Sequence, residues 1–146
     1  MKMKQRITVL TIGAKDLHAM QEFYENILGW SPVARNADIV FYQMNGFLLS
    51  IAKKESLSEF IGADLGERGP VTIGYNVDKE AEVIALYEKF VAKGVTILKE
   101  PTTPPFGGLF FYFQDVEGNV LEVACNSFVL LDDVKNAIGH KPIADL

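Results

Sequence analysis

Glu122 is the residue whose type and setting point most directly to chemistry. It lies in Val120-Leu-Glu-Val-Ala124, a run otherwise apolar. A carboxylate there either reaches solvent or lines a cavity, because burying it unpaired is costly. In a cavity it can accept charge-assisted hydrogen bonds from a cation, or act as a general base once apolar neighbours raise its pKa. Candidate walls for such a cavity are Trp30, Phe106, Phe111 and Phe113, with Asn76 as a second polar anchor. Flat rings with one carboxylate suit a ligand that joins a ring to a cationic group. Other chemistry-bearing residues are sparse. His18 falls on a predicted helix and His140 in the tail, and both read as solvated surface residues. The one cysteine, Cys125, excludes an intrachain disulfide and a cysteine-rich zinc site. Strand alternation sets it opposite Glu122, as core packing.

The elements that must position Glu122 occur twice. Sliding residues 9–28 forward by 63 puts Val9 on Thr72, Phe23 on Leu86 and Tyr24-Glu25 on Tyr87-Glu88. A shift of 72 overlays Gly46–Ala52 on Gly118–Ala124, and so Ser50 on Glu122. The first unit reads as a strand at 7–12, a helix after Asp16 with Leu17, Met20, Phe23, Tyr24, Ile27 and Leu28 as its apolar stripe, and a stop at Gly29. Short strands at 33–36 and 38–44 follow, then a return through 47–53 after the Asn45-Gly46 turn. The second unit reads as a strand at 71–77, a helix capped by Asp78 with Val83, Ile84, Tyr87, Phe90 and Val91 inward, and a stop at Gly94. A strand at 95–98, a proline-rich loop at 99–108, and a hairpin of 109–114 with 119–125 complete it. The loop could carry Phe106 as a lid. The expected organisation is one domain over 1–146, with β-α-β-β-β modules at 6–53 and 70–126, a linker at 54–69 holding a short helix at 56–61, and a tail at 127–146 with an apolar patch at Phe128–Leu131 and a poorly ordered polar end.

Composition narrows the classes. A length of 146 residues with 49% hydrophobic and 23% charged residues suits one folded soluble domain. A net charge of −5 argues against nucleic-acid or anionic-membrane partners. The basic start Met1–Arg6 is followed by strand-like residues rather than a signal-peptide core, and no apolar run is long enough to span a membrane. The expected location is the cytoplasm.

The duplicated β-α-β-β-β order, the segment Asp16-Leu…Phe23-Tyr24…Leu28-Gly29-Trp30 and the hairpin Asp115-x-x-Gly118-Asn119-x-x-Glu122 resemble the vicinal oxygen chelate superfamily. That superfamily holds the glyoxalases, the bleomycin-resistance proteins and the extradiol dioxygenases. The resemblance spans residues 6–126. Tyr75-Asn76-Val77, Pro104-Pro-Phe-Gly-Gly108, Tyr112-Phe113 and Val123-Ala-Cys-Asn126 resemble an uncharacterised glyoxalase-like bacterial subgroup. The resemblance implies an α+β fold of two tandem modules whose curved mixed sheet surrounds a central cleft, and it implies a homodimer. In metal-dependent members four strand positions ligate one divalent ion, and they map to Val9, Ser50, Thr72 and Glu122. Only Glu122 is a strong ligand. The expectation is therefore a small-molecule binding protein without metal or other cofactor, its ligand held between the modules by Val9, Trp30, Ser50, Thr72, Asn76, Phe106, Phe111, Phe113 and Glu122. The alternative is a lyase or isomerase using Glu122 as general base, with Ser50, Thr72 or Tyr112 donating to an oxyanion, or using Glu122 in an unconventional metal site.

Overall fold

Alternation within the strands and a helical stripe after each first strand build two separate sheets. The computed structural model describes residues 3–5, 7–67 and 71–144. The expected module bounds at residues 6, 69 and 70, and the chain ends, lie outside the described residues. The chain divides into two compact units, Met1–Gly69 and Pro70–Leu146.

In the first unit the elements are β1 (Val9–Ala14), α1 (Leu17–Glu22), β2 (Pro32–Arg35), β3 (Ile39–Gln43), β4 (Leu48–Lys53) and α2 (Lys54–Ile61). The sheet order is β1-β4-β3-β2, with β1 parallel to β4 and the other pairs antiparallel. Asp16 caps α1 as its type requires, accepting from the Ala19 backbone N–H at 3.0 Å. The predicted single helix instead continues as a π-helical turn over Phe23–Ile27, closed by the Leu28 N–H to the Phe23 carbonyl. Phe23 and Tyr24 are consecutive, yet both are buried. With Met20 they cover the sheet face formed by Val40, Tyr42, Leu49 and Ile51, and the Tyr24 and Tyr42 rings lie 6.4 Å apart.

The second unit repeats the order: β5 (Thr72–Asn76), α3 (Glu80–Ala92), β6 (Thr96–Thr102), β7 (Leu109–Gln114) and β8 (Val120–Cys125), with sheet order β5-β8-β7-β6. Val83 and Phe90 are the buried positions of α3, whereas Ile84 and Val91 of the expected stripe are exposed. Asp78 does not cap α3. The Glu82 carboxylate reaches back to accept from the Asp78 and Lys79 N–H groups, leaving Asp78 to pair with Lys135. β6 runs on through Pro101 to Thr102, four residues past its expected end. It lies at the edge of the sheet, where a residue without N–H is tolerated. The proline-rich connection shortens to 103–108.

The tail forms a hairpin of β9 (Val129–Leu131) and β10 (Ala137–His140) instead of a disordered end. Its turn copies that of β7 and β8. Asp115 accepts from the Glu117 and Asn119 N–H groups, each at 2.9 Å, and from Asn119 Nδ2 at 2.8 Å. Asp132 makes the same contacts to Val134 and Asn136. Gly118 and Lys135, three residues after each aspartate, both have positive φ.

Gly108 shows where the backbone demands glycine. Its φ is +90°, and an added Cβ would stand 2.3 Å from the Cys125 carbonyl oxygen. Gly108→Ala is expected to destabilise the protein by more than about 2 kcal/mol, combining left-handed strain with displacement of a strand end. Urea unfolding with an unchanged midpoint would contradict this. Among the described residues no helix is long and apolar enough to cross a membrane.

Candidate functional site

The hairpin of β7 and β8 decides what stands beside Glu122. Its register pairs Gln114 with Val120 and therefore Tyr112 with Glu122, while parallel pairing sets Gly74 of β5 on the other side. Lys99 of β6 is opposite Tyr112, so one row across the sheet runs Gly74, Glu122, Tyr112, Lys99. Residues two places away share that face: Thr72 and Asn76 on β5, Phe110 and Gln114 on β7. The Phe110 and Tyr112 rings meet edge to face at 5.6 Å.

The opposite face packs under α3, and it takes two of the expected site residues. Phe111 and Phe113 are buried there, with Phe90 6.1 Å from Phe111 and 4.9 Å from Phe113. They are core residues and cannot share a wall with Glu122, since odd and even positions of β7 point to opposite sides. Phe110 and Tyr112 take their place. Trp30 is half-buried and packs on the helix side of the first sheet, tilted against Tyr24 at 5.3 Å and edge to face with Tyr42 at 5.8 Å. Phe106 is exposed on the shortened loop, edge to face with Phe128 of the tail at 6.0 Å. Cys125 falls on the helix side, as expected, and its Sγ–H donates to the Asp78 carbonyl at 3.3 Å.

In the first unit Val9 and Ser50 share the face turned away from α1, and in the second Thr72 and Glu122 share the equivalent face. Their nearest neighbours were missed from sequence. Ser50 is paired with Thr11, and Glu122 with Gly74. The same shift of 63 that relates Val9 to Thr72 relates Thr11 to Gly74, so the signal was present in the repeat. Ser50 is fully buried and its hydroxyl lies 2.7 Å from that of Thr11.

Electrostatically the site is a carboxylate beside a phenol. Hydrogen bonding towards Glu122, then burial, then the Glu122 charge, push Tyr112 up to about 12. Tyr42 is raised still further, chiefly by burial and then by Glu25, whose Oε1 accepts from its hydroxyl at 3.2 Å. For a phenol raised in the fold, the stabilisation is complete below the unfolded value near 10 and disappears as pH climbs through the folded value. Tyr112 is thus a neutral donor at physiological pH. Phenolate absorbance should show it ionising late, and Glu122→Gln should lower its titration midpoint, since the Glu122 contributions go while burial stays. An unchanged titration curve in that variant would refute the pairing.

The residues do not fit a divalent metal ion. Of the four positions that the resemblance maps, Val9 has no donor atom and the Ser50 hydroxyl is engaged by Thr11. Glu122 is the one strong ligand. Among the described residues no three His, Cys, Asp or Glu side chains gather closely enough to hold a cation. His18 and His140 are exposed.

A groove of about 700 Å³ lies elsewhere, in the first unit, lined by Lys15, Lys53, Lys54, Glu55, Glu59 and Asp64 among others. Glu67 already bridges two of its lysines, at 2.5 Å from Lys15 and 3.9 Å from Lys54. Its lining carries charges of both signs. The Glu122 face has the more specific chemistry.

Comparison with known proteins agrees with this architecture. A glyoxalase-related enzyme from Fulvimarina pelagi is 37% identical, with a TM-score of 0.86 over 94% of this chain and 99% of that chain. A glyoxalase/bleomycin resistance protein/dioxygenase from Nocardioides is 23% identical, with a TM-score of 0.75 over 85% of each chain. A lactoylglutathione lyase from Agrobacterium tumefaciens is 24% identical, with a TM-score of 0.69 over 84% of this chain and 95% of that one. These last two likenesses are of fold. No functionally curated protein matches the chain. The model of the glyoxalase/bleomycin resistance protein/dioxygenase superfamily matches residues 6–123. By that match and the relative from Fulvimarina pelagi, the chain belongs to the glyoxalase/bleomycin resistance protein/dioxygenase superfamily.

Proposed function

We propose that this protein binds a small organic molecule against the face of its second sheet that carries Glu122, without a metal ion. The observation that carries this reading is the strand register that sets Glu122, a half-buried carboxylate, between Tyr112 and Gly74 on a face of hydrogen-bonding side chains. Its oxygen lone pairs are available to a ligand. Phe110 beside Tyr112 offers ring surface, and Asn76, Thr72 and Gln114 offer further hydrogen bonds on the same face. Isothermal titration with benzylammonium, before and after dialysis against EDTA, tests both parts. The expected result is saturable binding with the same affinity in each. A loss on dialysis that one divalent ion per chain restores would overturn the metal-free part, and no binding to this face by any ring-bearing small molecule would overturn the whole.

A second reading is an enzyme with Glu122 as general base and Tyr112 as donor to a developing oxyanion. The description of the Fulvimarina pelagi relative as a glyoxalase-related enzyme favours it. Turnover separates the readings. An enzyme shows a turnover that Tyr112→Phe removes while binding remains, whereas a binding protein shows none in either form.

A further inference from the structure

Gly74 lies in the middle of β5, next to Glu122, and neither the backbone nor the packing there calls for glycine. Its φ is not in the left-handed region. An added Cβ would meet nothing closer than Glu122 Oε1 at 3.8 Å and Asn76 Oδ1 at 4.0 Å, which is ordinary contact. Glycine weakens a strand, and its presence in one often marks a place where another group must approach the backbone. What borders the vacant position here is informative. Both neighbouring atoms are hydrogen-bond acceptors, one of them in a carboxylate. Tyr112 stands on the side of Glu122 away from Gly74, so the carboxylate lies between a phenol on β7 and an open notch on β5.

We infer that the notch over Gly74 takes a protonated amine, whose N–H groups donate to Glu122 Oε1 and Asn76 Oδ1, with the attached ring against Phe110. This rests on the small-molecule reading above and names the ligand class as aromatic ammonium compounds. Two acceptors nearest one vacancy disfavour a carboxylate or phosphate, which Glu122 would repel. A neutral alcohol can donate to one of the two acceptors only. A flat neutral ring would leave both unsatisfied once it displaced water. A primary ammonium has three donors and a charge opposite to that of Glu122.

The test uses the full chain, two probes of the same shape and the backbone amide signals of Gly74, Asn76 and Glu122. Benzylammonium is expected to shift these signals saturably and to bind about tenfold or more tightly than benzyl alcohol, the advantage of a charged over a neutral donor. Gly74→Ala places a methyl group in the notch without a clash. It should keep or raise the unfolding midpoint while erasing that preference. Should the variant prove less stable, Asn76→Ala gives the second measurement, with the same loss of preference expected. Equal affinity for the two probes, or a preference that survives both substitutions, overturns the ammonium notch and leaves small-molecule binding standing. Failure of both probes to move these signals overturns the notch and the reading beneath it together.

Discussion

Phe111→Ala is expected to cost about 3–5 kcal/mol of stability, enough to unfold most of the population of a marginal domain. Phe111 is fully buried, at 0% exposure. Its ring contacts Tyr87 at 5.5 Å, Phe90 at 6.1 Å and Phe113 at 5.9 Å, so truncation empties the joint between α3 and the second sheet. The cost has two parts, the lost transfer of a large apolar group and the cavity that rigid neighbours cannot close. Phe110→Ala, one residue earlier, should cost much less, since Phe110 is only partly buried on the other face. Chemical denaturation of the two variants reads this directly. Equal losses would mean that the face assignment of β7 is wrong, and with it the position of Tyr112 beside Glu122.

Glu122→Gln is expected to lower affinity for benzylammonium by about tenfold to a hundredfold, the range for a hydrogen bond to a charged group. Glutamine keeps the shape at a half-buried position, so the unfolding midpoint should hardly change. What disappears is the charge. Affinity for benzyl alcohol should therefore stay within a small factor of wild type, which distinguishes an electrostatic contact from a general disturbance of the face. Calorimetric titration of both ligands decides it. Undiminished binding of the ammonium compound would remove Glu122 from the site.

Both predictions depend on strand parity, and parity is where the sequence spoke unevenly. In Val120-Leu-Glu-Val-Ala124 the lone carboxylate marks one face at once. In Leu109-Phe-Phe-Tyr-Phe113 every position is apolar or aromatic, so no alternation shows which residues turn to the helix. Phe111 and Phe113 were expected in the site and are in the core. The missing information was the pairing register. A turn from Asp115 to Asn119 sets Tyr112 opposite Glu122, and that arithmetic was available once both strands were read as a hairpin. The tail is a similar case. Asp132 and Asn136 have the same spacing as Asp115 and Asn119, and they make the same turn. For Trp30, nothing local separates a ring that stacks on Tyr24 and Tyr42 from one that faces a ligand.

By itself the sequence determined the α+β class, the doubled β-α-β-β-β order and the superfamily, because hydrophobic periods, turn residues and an internal repeat are local signals that survive without contacts. It also singled out Glu122, since an acidic residue in an apolar strand contrasts with its own neighbours. Only the tertiary structure decided what surrounds that carboxylate: a tyrosine on one side, the open position above Gly74 on the other, the rings of Phe111 and Phe113 turned away into the core, and Trp30 packed against Tyr24. The physical reason is that such neighbours come from strands up to 48 residues apart along the chain, as Gly74 is from Glu122. Their meeting is fixed by register and sheet order, which no short window of residues encodes.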